Sequence, residues 1–134
     1  MRIEDVEGIG PVFAAKLGSA GVNSTDDLLQ RGAKPSGRLA LEDATGIGRA
    51  LILEWVNHVD LMRIDGVGSE YSDLLEAAGV DSPAELARRN AANLATTIDE
   101  VVAARPNIVR RAPNETELQD WIDQSKKLPK VVEH

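Results

Sequence analysis

The chain has no cysteine, and its 134 residues include only two histidines, two tryptophans, one tyrosine and one phenylalanine. The missing cysteine removes disulfides, thiolate metal sites and cysteine nucleophiles together, and it leans mildly towards a reducing compartment. Histidine is too sparse for a metal or acid–base constellation: His134 lies in the closing segment, and His58 sits beside Glu54 and Asp60 on a helix-like stretch. The pattern there is that of a surface histidine near a helix C-terminus. No nucleophile stands beside an activating partner. No apolar run approaches the ~20 residues that cross a bilayer, and Met1-Arg2-Ile3-Glu4-Asp5 lacks the apolar core of a signal peptide. Basic residues are outnumbered as well. Fifteen Lys and Arg face 22 Asp and Glu, a net charge of −7, which opposes a protein whose whole surface embraces nucleic acid phosphate. The expectation is a cytoplasmic, non-enzymatic protein with no cofactor, no metal and no membrane partner.

What the sequence does have is glycine in a recurring pattern: Gly8-Ile9-Gly10, Gly46-Ile47-Gly48 and Gly66-Val67-Gly68 each stand between two helix-like segments. A glycine on either side of one aliphatic residue suits a tight turn whose apolar tip is pinned in the core. Such a turn also leaves first-turn amides of the following helix without helical acceptors, the arrangement by which proteins hold anions. The turns are too short for a P-loop and lack its Gly-Lys-Ser/Thr ending.

Between the turns the pattern is helical throughout. Pro11 suits a first helical position, Phe13, Leu17 and Ala20 make an inner face, and Gly21 ends the segment. Ser24-Thr25-Asp26-Asp27 reads as an N-cap with acidic residues in the first turn, leading a short helix to Gly32. A third helix from near Ser36 carries Leu39 and Leu41. Leu51, Ile52, Trp55, Val56 and Val59 then form a broad apolar stripe on a long fourth one. Ser82-Pro83-Ala84-Glu85 and Asn114-Glu115-Thr116-Glu117 have the form of capping boxes. Between them Leu94, Ile98, Val101 and Val102 mark a helix over 93–104, and Leu118, Trp121 and Ile122 mark a last one over 114–128.

A shift of 58 residues lays Gly8 on Gly66, Gly10 on Gly68, Leu17 on Leu75, Ala20-Gly21-Val22 on Ala78-Gly79-Val80, Ser24 on Ser82 and Arg31 on Arg89. That many matches at one offset indicate an internal duplication. Units of 1–60 and 61–128 follow, with a tail over 129–134. Trp121 matches Trp55 at an offset of 66, and the fourth turn has become Ala112-Pro113-Asn114.

The run Val6-Glu7-Gly8-Ile9-Gly10-Pro11-Val12-Phe13-Ala14-Ala15-Lys16-Leu17 resembles a helix-hairpin-helix motif. Its tandem arrangement resembles the DUF4332 family of helix-hairpin-helix proteins over nearly the whole chain. The resemblance implies an all-α fold in which paired motifs pack as a compact pseudo-two-fold helical domain, and it supplies no activity. The wider superfamily includes proteins that bind DNA backbone phosphates through hairpin amides, and others used for protein contacts.

Judged turn by turn, the first hairpin (Gly8, Ile9, Gly10, with Lys16 two turns on) and the second (Thr45, Gly46, Ile47, Gly48, Arg49) are candidate phosphate or partner contacts. At the third, Asp65 and Glu70 stand where a phosphate would approach. Arg105, Arg110 and Arg111 make a candidate basic patch, extended by Arg88 and Arg89. The tryptophans, with Phe13 and Tyr71, read as core rather than as base-stacking platforms. The sequence leaves the oligomeric state open and carries two functional expectations. The first is a protein-binding adaptor or scaffold whose hairpin face receives a protein partner. The second is weak, sequence-independent nucleic-acid binding through the first two hairpins.

Overall fold

Capping residues set most of the helix boundaries. The computed structural model describes residues 1–134 and holds eight α-helices and no strand. A 3-10 turn, Ile3–Asp5, precedes α1 (Pro11–Ser19), α2 (Thr25–Gly32), α3 (Pro35–Thr45) and α4 (Arg49–Leu61). There follow α5 (Ser69–Ala77), α6 (Pro83–Ala87), α7 (Ala91–Ala104) and α8 (Glu115–Lys127). The hydroxyls of Ser24 and Ser82 accept the amides of Asp27 and Glu85 at the starts of α2 and α6, satisfying donors that have no acceptor within the helix. Proline occupies the first turn of α1, α3 and α6, where its missing N–H costs nothing. No helix is long and apolar enough to cross a membrane.

The chain divides into two compact units. The first holds Met1–Asp60 with Lys130–His134, and the second holds Leu61–Pro129. In the first, α3 packs on α1 and α2, and Ile3, Val6, Leu17, Leu28, Leu41 and Trp55 are buried. In the second, α8 packs on α6 and α7, and α5 on α7, around Leu74, Leu75, Leu86, Leu94, Ile98 and Trp121. Each buried Leu or Ile of this kind contributes about 1.5–3 kcal/mol of transfer free energy.

Three sequence expectations are corrected, and the inner face of α3, which the sequence left open, is defined. His58 is only 2% exposed and not on the surface, because α4 is enclosed on every side from Trp55 to Leu61. On α3 the inward position beside Leu41 is taken by Arg38, while Leu39 is 42% exposed. The Ser82 box is half formed: Glu85 turns its carboxylate to Arg89 Nε at 3.2 Å rather than back to the cap. Finally, α7 begins at Ala91, because the side chain of Asn90 caps it by accepting the Asn93 amide.

Candidate hairpin contact sites

The first and third hairpins are built alike. Gly8 and Gly66 take φ of +85° and +97°, a left-handed conformation that costs a residue with a Cβ about 1–2 kcal/mol. Space is short as well: a Cβ there would stand 3.4 Å from Trp55 Nε1 at Gly8 and 3.0 Å from Trp121 Nε1 at Gly66. Each indole in turn meets the aromatic ring of the next helix's first turn, Phe13 on Trp55 and Tyr71 on Trp121, both with centroids 5.1 Å apart. Ile9 and Val67, the turn tips, are buried. The glycines therefore serve the close approach of turn to tryptophan, and the aromatic residues expected in the core are engaged there.

At the start of α1, Gly10 is the N-cap and no side chain caps the helix. Lys16 is exposed and lies in the last turn of α1, six residues and about 9 Å of helix rise from Gly10. It does not join the first-turn amides. Val12 is 69% exposed, and an open cleft of about 490 Å³ beside α1 is lined by Ile3, Pro11, Ala14, Ala15 and Gly18 together with the polar Glu4 and Asn23.

The second hairpin is already occupied by the chain's own anion. Gly46 ends α3 in the left-handed conformation, with its N–H donated to Glu42 O. Thr45 Oγ1 accepts the Ile47 amide at 3.1 Å and donates to Leu41 O at 2.6 Å. Glu42 Oε2 then accepts the Arg49 amide at 2.8 Å, and its Oε1 lies 3.2 Å from Arg49 Nε. The amide opening α4 and the adjacent guanidinium are thus both committed to one carboxylate.

The fourth joint does the same with other residues. Asn114 Oδ1 accepts the Glu117 amide at 2.8 Å while the Asn114 amide donates to Glu117 Oε1 at 3.1 Å, completing the capping box. Arg111 clasps the same carboxylate through both terminal nitrogens, at 2.7 and 2.8 Å. The hydrogen bonds from Arg111 and the Asn114 amide hold the Glu117 carboxyl well below its ordinary 4.5, at about 2, and raise the Arg111 guanidinium in return.

The basic patch is distributed over acidic neighbours. Arg105 lies 3.8 Å from Asp73, Arg110 lies 3.8 Å from Glu70, and Arg88 lies 3.7 Å from Glu85. Arg110 and Arg111 line, with Gly66, Gly68, Ser69 and Glu70, a cleft of about 380 Å³ at the third hairpin. Two arginines therefore reach the one hairpin whose flanking acids argued against phosphate. Arg89, besides its contact with Glu85, donates to Gly79 O at 3.1 Å, and Arg31 donates to Ala20 O at 3.1 Å, each satisfying a carbonyl just past the end of α5 or α1.

One residue escaped sequence reading altogether. Arg38, 4% exposed, donates through Nη1 to Gly32 O at 2.8 Å and Ala33 O at 3.3 Å, and through Nη2 to Glu133 O at 2.8 Å. Burial pulls its pKa down, with the charge of Glu133 opposing. A lone arginine between Gly37 and Leu39 gives no sequence signal of burial, since charged side chains go inside only when their donors are satisfied.

No curated protein matches the chain, and no solved structure does. A family model, described as a domain of unknown function, matches residues 7–128, so the chain belongs to the DUF4332 family.

Proposed function

We propose that this chain is a non-enzymatic protein-binding adaptor or scaffold acting in the cytoplasm, with each unit a pair of helix-hairpin-helix joints. The observation that carries the reading is the Glu42 carboxylate seated on the Arg49 amide and guanidinium. A DNA phosphate arriving at the second hairpin would have to displace that carboxylate and then lie beside it, with like charges in contact. The net charge of −7 and the pairing of Arg105, Arg110 and Arg111 with acids point the same way. For a protein partner, the exposed Val12 and the cleft beside α1 offer apolar surface at the first hairpin.

A second reading rests on the start of α1, which has no side-chain cap: weak, sequence-independent DNA binding through its first-turn amides after Gly8–Gly10, aided at Gly46–Gly48 when Glu42 is removed. Titration of the protein with fluorescent duplex and single-stranded DNA at two salt concentrations separates the two. The adaptor reading expects no binding near physiological salt, together with a crosslinked protein partner that Val12→Asp loses. Salt-sensitive duplex binding that Arg49→Glu weakens and Glu42→Gln strengthens, with no protein partner, would overturn it.

A further inference from the structure

The segment 130–134 lies beyond the residues the family model matches and is seated in a formed slot of the first unit. It has no regular secondary structure, and it is held mainly through its backbone. The Glu133 amide donates to Ala33 O at 2.7 Å, and the Glu133 carbonyl accepts from Arg38 Nη2 at 2.8 Å. His134 Nε2 pairs with Asn57 Oδ1 at 3.0 Å. One side chain is buried, that of Val132 at 2% exposure, while Val131, Glu133 and His134 face solvent. One donor, one acceptor and one apolar anchor on an extended backbone are the elements by which proteins recognise unstructured peptide segments.

The slot also has a requirement of its own. Arg38 is buried, and its Nη1 is fixed on Gly32 and Ala33. If residues 130–134 leave, Nη2 loses its carbonyl while the charge stays in place, and an unsatisfied buried donor of this kind is costly. The vacated slot is therefore a directed site for another peptide carbonyl preceded by a small β-branched side chain.

We infer that the slot formed by Ala33, Arg38 and Asn57 is a docking site for an extended segment of a partner protein bearing Val or Ile, and that residues 130–134 are its tethered, displaceable occupant. This deepens the adaptor reading and rests on it: the tether supplies a high local concentration of the resident segment, so the site is closed until that segment is released. Sequence specificity is concentrated in the single anchor position, because the other contacts are made to the main chain or at the rim.

The test uses the full chain and an amidated, fluorescent synthetic peptide copying residues 128–134. Val132→Asp, which cannot bury its carboxylate without a partner, and Glu133→Pro, which removes the amide donated to Ala33, both release the resident segment. Each released variant, still helical by circular dichroism, is expected to bind the peptide at least tenfold tighter than the unaltered chain does, and adding Arg38→Met to Val132→Asp is expected to abolish the gain. In the unaltered chain, the Glu133 amide is expected to exchange with solvent at least a hundredfold faster than the amides of α4. Helical released variants that fail to bind, loss of helical signal in both variants, or a Glu133 amide as protected as α4 would each overturn the inference. A dimer of the unaltered chain that Val132→Asp dissolves would replace the partner protein by a second copy as occupant. A chain that takes the peptide yet binds duplex DNA and no protein partner would sink the adaptor reading while leaving the slot a peptide site.

Discussion

At their leading hairpins the two units place the same groups in the same way: a left-handed glycine against an indole, that indole against the ring on the next helix, and an arginine closing the end of that helix. At their trailing joints they differ in every residue and arrive at one electrostatic result. In the first unit the acid precedes the turn and the base follows it, Glu42 before Arg49. In the second the base comes first, Arg111 before Glu117. Both put a carboxylate of the chain itself at the start of the unit's last helix, Glu42 on the first amide of α4 and Glu117 on the amide of the N-cap residue Asn114, where the partial positive charge of the helix start is stabilised. What is common to the two trailing joints is therefore a filled anion position. The glycine pair is one route to it, and the capping box at Asn114 is another.

The largest test of this comparison removes the indoles. Trp55→Ala and Trp121→Ala each take away a buried side chain that supports both its turn and its ring neighbour. Each is expected to lower unfolding free energy by about 3–5 kcal/mol, measured by urea denaturation. A loss under about 1 kcal/mol at either position would break the equivalence of the two hairpins. Next in size are Gly8→Ala and Gly66→Ala. Both incur the left-handed penalty of about 1–2 kcal/mol. Gly66→Ala is expected to be the worse of the two, because the new Cβ would meet Trp121 at 3.0 Å rather than Trp55 at 3.4 Å. The reverse order would show that the indole of the first unit is the less able to yield.

A smaller effect probes the one polar difference between the aromatic pairs. Tyr71 donates its hydroxyl to Arg111 O at 2.9 Å, linking the third hairpin to the fourth, whereas Phe13 has no hydroxyl to donate. Tyr71→Phe is expected to cost about 0.5–1.5 kcal/mol in the same denaturation experiment. A neutral result would mean that the ring contact with Trp121 alone joins these segments.

Much of this was legible in the sequence because residues of the same type recur at one offset. The shift that lays Gly8 on Gly66 also lays Arg31 on Arg89, and both arginines do the same work at a helix end. Local signals located Ser24, Ser82 and Asn114 as caps, since capping is decided within four residues of chain. Long-range partners were hidden. Nothing near Arg38 in sequence announces that Glu133 supplies its carbonyl. The burial of His58 follows from how the end of α4 is enclosed, not from its own stripe. The Arg49–Glu42 clasp was half visible: Arg49 stands out after the second glycine pair, but only the folded turn brings the Glu42 carboxylate back onto its amide.

The smallest expected effect is also the most specific to the second unit, because it reads one carboxyl. Glu117 in the folded chain titrates at about 2, below its ordinary 4.5, with the Arg111 hydrogen bonds as the main cause and the Asn114 amide second. A group with a depressed folded pKa contributes stability that is present above its unfolded pKa and is lost as pH falls through the folded one. The Arg111–Glu117 clasp should therefore help hold α8 above about pH 4.5 and give up that help between there and about pH 2. Carbon-detected NMR titration of the Glu117 carboxyl is expected to give the low midpoint, and Arg111→Ala is expected to move it upward, towards the ordinary value. Replacing Glu117 by Gln should flatten this part of the stability–pH profile while leaving the Glu42 clasp of the first unit untouched. A Glu117 midpoint near 4.5 in the unaltered chain would mean that the clasp is not held in solution, and the two trailing joints would then differ in the very anion position they share here.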